Sequence, residues 1–443
     1  MKTENMRIEF EWLDRQIGND IDQAFFANIT LAIGEEFFTR IDDLAAKTVR
    51  NHMRGCAHHL ATWFAANWWR LRWEPESTQI QNDADWRLAH TVAATGGGYV
   101  WPNVIFASDG EYFEVAMLPD THKVLYEPIR YINSLHTRIS AGEFEQKVDG
   151  FVEGVISRLH SLGLKDKTLP CLWAEVLAER RDPNASQRRK LEALSGFDPD
   201  EAPDELLMQL TEDKANLGKS ALEEVAAEAR HSVGDVLKTI LDLSPSPAGP
   251  KPGGVRVLMP DSKGIDADAP TPNGLPWQRA SVLAACARKQ WRLEKGRVSN
   301  RMLADLLGTT PEILTAESTV PTQMPLAFRF GTGADMDIYF NRPRSTSRRF
   351  AVSRLIGDQL YSSHSEKLIP ATNAKTSRQK FQRAFAQEFL CPIDALLEKI
   401  QTHEPDEDDL SEAAAYFEVS PLMVTTTLVN HGKLGREALA FIE

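Results

Sequence analysis

Two stretches near the C-terminus carry the side chains best suited to chemistry, Arg348–Leu360 (RRFAVSRLIGDQL) and Thr376–Pro392 (TSRQKFQRAFAQEFLCP). In the first, Arg354 and Asp358 stand at i and i+4, on one face of a helix. There a guanidinium and a carboxylate either pair with each other or line a cleft that grips an anionic group. The charge around them is lopsided. Between Arg342 and Arg383 the basic residues are Arg342, Arg344, Arg348, Arg349, Arg354, Lys367, Lys375, Arg378, Lys380 and Arg383, against Asp358 and Glu366 alone, in a chain of net charge −13. Such an excess suits phosphate contacts. It suits docking on acidic segments equally well, and Asp198–Glu205 and Glu404–Asp409 offer themselves within the chain. Arg342, Arg344, Arg348, Arg349, Arg354, Lys375, Arg378, Lys380 and Arg383 are therefore the candidate nucleic-acid or anion contacts.

Other constellations are weaker. His52, Cys56, His58 and His59 fall on one expected helix, with His52 and Cys56 one turn apart, but no second ligand pair accompanies them, and a chance cluster is the simpler reading. Gly96-Gly97-Gly98 precedes Tyr99-Val100-Trp101-Pro102 with no GxGxxG or GK[ST] pattern, so it reads as a turn rather than a phosphate cradle. Two segments read as helix-turn-helix units, Val298–Leu314 and Leu410–Leu434. The second helix of the latter offers Thr425–Thr427 and Asn430 but no Arg or Lys, which favours a structural hairpin over a DNA reader.

The two C-terminal stretches together resemble the ImmA/IrrE family of zinc metallopeptidases. That family carries RF-x-x-AHELGH on one helix and E-x-x-AN-x-FA-x-E-L-L-x-P on the next. Arg349-Phe350 and Gly357 match the first pattern; Phe385-Ala386, Glu388, Leu390 and Pro392 match the second. The resemblance covers about residues 276–435. It implies a peptidase-like fold, but the ligand positions depart from the pattern. The two histidines and the glutamate that hold zinc and activate its water become Arg354, Asp358 and Leu355, and the third ligand falls near Gln379. A guanidinium does not ligate zinc, and Leu is no base. The resemblance thus implies a domain without metal or cofactor: a pseudo-peptidase regulator or scaffold that binds a protein partner. Family settings are bacterial transcriptional control, toxin–antitoxin systems and phage defence. The alternatives are a nucleic-acid binder using the Arg342–Arg383 patch, an active metallopeptidase with unrecognised ligands, and an enzyme drawing acid–base groups from Asp358, Glu388 or His364.

The elements expected to position these residues follow from periodicity. Arg7–Trp12 and Asn28–Ile33 alternate as strands, a helix is expected over Asp43–Trp69, and Asn103–Ala107 with Tyr112–Leu118 reads as a hairpin. Phe144–Leu162 and Ala221–Leu243 have helical spacing. Ser244–Gly254 (SPSPAGPKPGG) reads as a linker. Helices follow at Trp277–Lys295, Ser299–Leu307, Arg349–Tyr361 and Ser377–Phe389, with short strands at Leu326–Phe330 and Met336–Phe340 about a turn at Gly331–Ala334. The expected organisation is an N-terminal α+β domain over 1–130, a helical domain over 131–243, a Pro/Gly-rich linker over 244–275, a peptidase-like domain over 276–400 and a helical tail over 401–443. The fold class is α+β, predominantly helical and multidomain.

The bulk properties agree with a globular chain. Of its 443 residues 42% are hydrophobic and 26% charged, too long a chain for one core. No apolar run is long enough to span a bilayer, and no signal-peptide stretch opens the sequence. The four cysteines form no CxxC pair, which fits a reducing, cytoplasmic setting.

Overall fold

The computed structural model describes residues 5–76, 84–117, 128–246, 249–262, 265, 274–293, 296–317, 319–330, 335–363, 365–402 and 404–439. It is a mixed α and β protein with several small antiparallel sheets. No described helix is long and apolar enough to cross a membrane. The chain forms two compact units, Met1–Leu207 and Met208–Glu443.

The first unit runs β1 (Met6–Trp12), α1 (Asp20–Ala24), β2 (Phe26–Ile33), β3 (Glu36–Phe37), β4 (Ile41–Asp43), β5 (Thr48–Arg50), β6 (Met53–Cys56), α2 (Ala57–Ala66), α3 (Trp68–Trp73), α4 (Ala84–His90), β7 (Val104–Ser108), β8 (Tyr112–Met117), β9 (Ile129–Tyr131), β10 (Leu135–Ser140), α5 (Ala141–Ser161), α6 (Thr168–Arg181) and α7 (Pro183–Leu194). Its sheets are β1-β2-β3 with β6 added on β2, β5-β4-β9 and β10-β8-β7. The helix expected over Asp43–Trp69 begins only at Ala57. Before it, the Asp43 carboxylate accepts from Ala46 N at 2.9 Å and closes a turn, and Thr48-Val49-Arg50 pairs back on β4. An Asx turn and a β-branched run override the helical spacing of Leu44, Val49 and Met53.

No domain boundary falls at residue 130. Helix α5 buries Phe144, Val148, Phe151, Val155 and Leu159, an i, i+4, i+7 stripe, in the same core as the strands, and α6 adds Trp173 and Val176. The acidic Asp198–Glu205 segment is held within this unit: Arg70 pairs with Asp198, Arg189 with Asp200 and Arg188 with Asp204.

Helix α8 (Asp204–Leu217) carries the division between the units. The second unit continues with α9 (Lys219–Ala229), α10 (Val233–Asp242), β11 (Gly254–Leu258), α11 (Pro276–Gln290), α12 (Asn300–Leu306), α13 (Glu312–Thr315), β12 (Leu326–Phe330), β13 (Asp335–Tyr339), α14 (Ser345–Tyr361), β14 (Leu368–Pro370), α15 (Ser377–Leu390), α16 (Ile393–Ile400), α17 (Glu407–Phe417) and α18 (Pro421–Asn430). One sheet runs β11-β13-β12-β14. The expected linker thus contains a strand: Val255 and Val257 pair with Ile338 and Met336. The turn at 331–334 lies outside the described residues. The tail is not separate, because Phe417, Val424 and Leu428 belong to the core that holds Leu355 and Phe385.

Candidate functional site

Helices α14 and α15 pack against each other and against α11, and they carry the residues singled out in the sequence. Their approach depends on Gly357: a Cβ there would stand 2.5 Å from Phe385 Cγ, well inside contact distance. Thr376 caps α15 by accepting from Gln379 N at 3.2 Å. That cap starts the helix where it presents Arg378 and Gln379 to α14.

Arg354 and Asp358 do not pair with each other. Arg354 Nη2 donates to Gln379 Oε1 and to the Thr372 carbonyl. Asp358 instead accepts from Arg378, with Nε at 2.9 Å and Nη2 at 2.6 Å. A fork-to-carboxylate contact in a dry interior outweighs the few tenths of a kcal/mol of a local i, i+4 pair. Arg378 also donates from Nη1 to Glu366 Oε2 at 2.9 Å and to Ser220 Oγ at 2.8 Å. Leu355 is fully buried in apolar surroundings.

These positions are closed to solvent, with Asp358 and Gln379 at 0% exposure and Arg354 at 5%. Burial, and then the charge of Arg383, push Arg354 down to about 9. Burial opposes the charge on Arg378 too, but Asp358 and Glu366 hold it firmly protonated. Both Asp358 oxygens are occupied by a guanidinium, and Gln379 Oε1 accepts from Arg354 and from Thr372 N at 2.9 Å.

Helix α9 supplies acidic partners that the sequence did not reveal. Glu224 is buried and accepts from Thr376 Oγ1 at 2.7 Å. Burial raises its carboxyl above the ordinary range. One turn later, Glu228 accepts from Asn373 N at 2.8 Å and Ala374 N at 2.9 Å. The only advance signal was the i, i+4 spacing of two glutamates in an Ala-rich helix. Glu404–Asp409 plays no such part: Asp406 and Asp409 form the capping box of α17.

The run of basic residues is largely consumed inside the fold. Arg349 is wholly buried and donates to the Glu418 carbonyl at 3.0 Å and Asn300 Oδ1 at 2.8 Å, fastening the turn between α17 and α18 and the start of α12 to α14. Arg348 donates to the Ile313 carbonyl at 2.7 Å and lies over the Phe340 ring. Arg383 donates to the Ala374 carbonyl at 2.9 Å. Arg342, Arg344 and Lys367 are exposed, and Lys375 and Lys380 are half-buried. The surface excess is thus much smaller than the count of basic residues suggests. Arg329 on β12, unnoticed in the sequence, is buried as well and donates to the Glu366 carbonyl at 2.6 Å and Ser362 Oγ at 2.8 Å.

Glu388 lies ten residues beyond Arg378 on α15, about 15 Å along the helix, outside this centre. Its carboxylate accepts from Ile393 N at 3.4 Å, and burial pushes it up to about 7. His364 lies outside the described residues. The tail forms the expected helical hairpin, α17 and α18 about a turn at Glu418–Ser420, with Thr425, Thr426 and Thr427 donating their hydroxyls to carbonyls of their own helix, whereas in the Val298–Leu314 segment α13 is only four residues long.

In the first unit, the four residues read as one helical cluster separate. Cys56 ends β6, His58 and His59 open α2, and His52 precedes β6. His58 Nε2 lies 2.9 Å from Asp166, whereas His59 faces Asp22.

No family model, curated protein or solved structure matches the chain.

Proposed function

We infer that the second unit is a zinc-free, non-catalytic relative of the ImmA/IrrE peptidases, acting as a regulator or scaffold through a protein partner. The observation that carries this reading is the filled centre: Arg378 clamps Asp358, and Arg354 holds Gln379, where the family pattern requires ligands. The retained pattern residues have structural work that needs no metal. Arg349 fastens the C-terminal turn, Gly357 admits Phe385, and Pro392 stands at the N-cap position of α16. Loss of the ligand set alongside retention of its scaffold is what a binding role built on a peptidase frame requires. The setting follows from the resemblance: transcriptional control, a toxin–antitoxin pair or phage defence. The nucleic-acid alternative is weakened by the burial of Arg348, Arg349 and Arg354.

The test is proteolysis. Purified full-length protein, incubated with helix-turn-helix repressors and with generic unfolded substrates, with and without added zinc, is expected to cleave neither above background. Zinc-dependent cleavage that is lost in Gln379→Ala would overturn the reading.

A further inference from the structure

Three side chains in the first unit, drawn from α1, the end of β6 and the first turn of α2, converge, and the Cys56 thiol also lies 3.9 Å from the Ile21 carbonyl. The ligand atoms of Asp22, Cys56 and His59 all lie within 4.8 Å of one another. His59 Nε2 stands 3.6 Å from Asp22 Oδ1. That is too long for a hydrogen bond. Two ligands of one tetrahedral ion, each about 2.0–2.2 Å from it, stand about 3.3–3.5 Å apart. The spacing is close to that of a coordination edge.

The surroundings hold these groups in place. Tyr99 Oη donates to Asp22 Oδ1 at 3.2 Å, and Arg15 in turn donates to Tyr99 Oη, so the carboxylate is oriented by a relay. Such outer partners are a regular part of metal sites. The His59 ring lies edge-on to Tyr99, and its other nitrogen, Nδ1, faces Gly97. A Cβ at Gly97 would fall 1.8 Å from Nδ1, and Gly97 has φ +71°. Gly97, the middle one of three consecutive glycines, thus gives a close backbone approach to this ring. Cys56 is fully buried, while Asp22 and His59 keep one side towards solvent, at 19% and 24% side-chain exposure.

We propose that Asp22, Cys56 and His59 form a binding site for a borderline-soft divalent cation of the zinc class, with solvent as the fourth ligand. Sulfur, imidazole and carboxylate donors together suit zinc over magnesium or calcium, which take oxygen. A thiolate and a carboxylate cancel the 2+ charge, and binding sends the Cys56 thiol proton to solvent. Three protein ligands with one open position is the ligand number of zinc that acts on a substrate or water, rather than of zinc that only braces a fold. The readings of the two units are independent.

The experiment uses the full chain, stripped with a chelator and titrated with Co²⁺. One equivalent is expected to bind, with a near-ultraviolet thiolate-to-cobalt band that Zn²⁺ then removes. Cys56→Ser abolishes the band. Asp22→Asn, which keeps the side-chain volume, weakens binding at least tenfold, and so does His59→Gln. Tyr99→Phe removes the hydroxyl that donates to Asp22 and accepts from Arg15, and weakens binding about 10–100-fold. Far-ultraviolet circular dichroism checks each fold, and if Cys56→Ser fails to fold, Asp22→Asn carries the test. Absence of the band, or a band unchanged in Asp22→Asn and His59→Gln, overturns the proposal.

Discussion

Asp358 on α14 and Arg378 on α15 meet side-on, with Nη2 to Oδ2 at 2.6 Å and Nε to Oδ1 at 2.9 Å, and Asp358 has no exposure to solvent. The pair locks the two helices at the centre of the second unit. Removing Asp358 takes the fork contact from buried Arg378 and leaves it the Glu366 carboxylate on Nη1. Asp358→Ala is expected to destabilise the second unit by about 3–5 kcal/mol, seen as an earlier transition in denaturant titration. The variant is expected to leave hydrogen exchange in α5, in the first unit, unchanged.

Arg354 should behave in the opposite way. Its hydrogen-bond partners, Gln379 Oε1 and the Thr372 carbonyl, are neutral, and its Nε makes no hydrogen bond. Gln379 Oε1 keeps Thr372 N as a donor if Arg354 is removed. Arg354→Met fills the same volume without the cost of burying a cation. The expected change lies between a loss of about 1 kcal/mol and a gain of a few, measured by equilibrium denaturation beside Asp358→Ala.

Gly357→Ala sets two effects against each other. Alanine gains about 1 kcal/mol of helix propensity over glycine. The added Cβ meets Phe385 Cγ at 2.5 Å, and overpacking of this kind costs about 1–3 kcal/mol. The clash involves a ring wedged in the core, so a net loss of stability is expected. Phe385→Leu in the Gly357→Ala background should recover part of the loss, whereas Phe385→Leu alone should be destabilising. A double-mutant cycle in urea reads the coupling.

The pH response of Glu388 follows from its burial, which pushes its carboxyl up to about 7 from the ordinary glutamate value of 4.5. A raised folded value means that the folded state binds the extra proton. The stabilisation is therefore full below about pH 4.5 and is lost as pH rises towards and through about 7. Glu388→Gln mimics the protonated form. It should be more stable than the parent at pH 8, by about 1–3 kcal/mol, and the gap should close at pH 4.5. Thermal melts at the two pH values check the sign.

Local pattern revealed the helices of the second unit and its structural signposts. Arg349-Phe350, Gly357 and Phe385 were legible as positions of the pattern that the sequence resembles; Gly357 and Phe385 act across one helix pair, whereas the partners of Arg349 lie 49 and 69 positions away. The partners were not legible. Asp358 takes Arg378 rather than Arg354, nearer in sequence, and Glu224 and Glu228 reach residues 373–376 from 145–152 positions upstream. No periodicity encodes a contact at that separation. The same limit hides Asp22 from Cys56 and His59, and it made a run of arginines look like a surface when Arg348, Arg349 and Arg354 are interior. Strand β11 escaped notice because Val255 and Val257 follow a Pro/Gly stretch and become a strand only by pairing with β13.

We propose for the second unit a peptidase frame around a centre that does no zinc chemistry. The most direct measurement is zinc-dependent proteolysis by the full-length protein, run in parallel with Cys56→Ser and Gln379→Ala. The account predicts no turnover assignable to the second unit in any of the three. Cleavage that persists in Cys56→Ser and disappears in Gln379→Ala would contradict it.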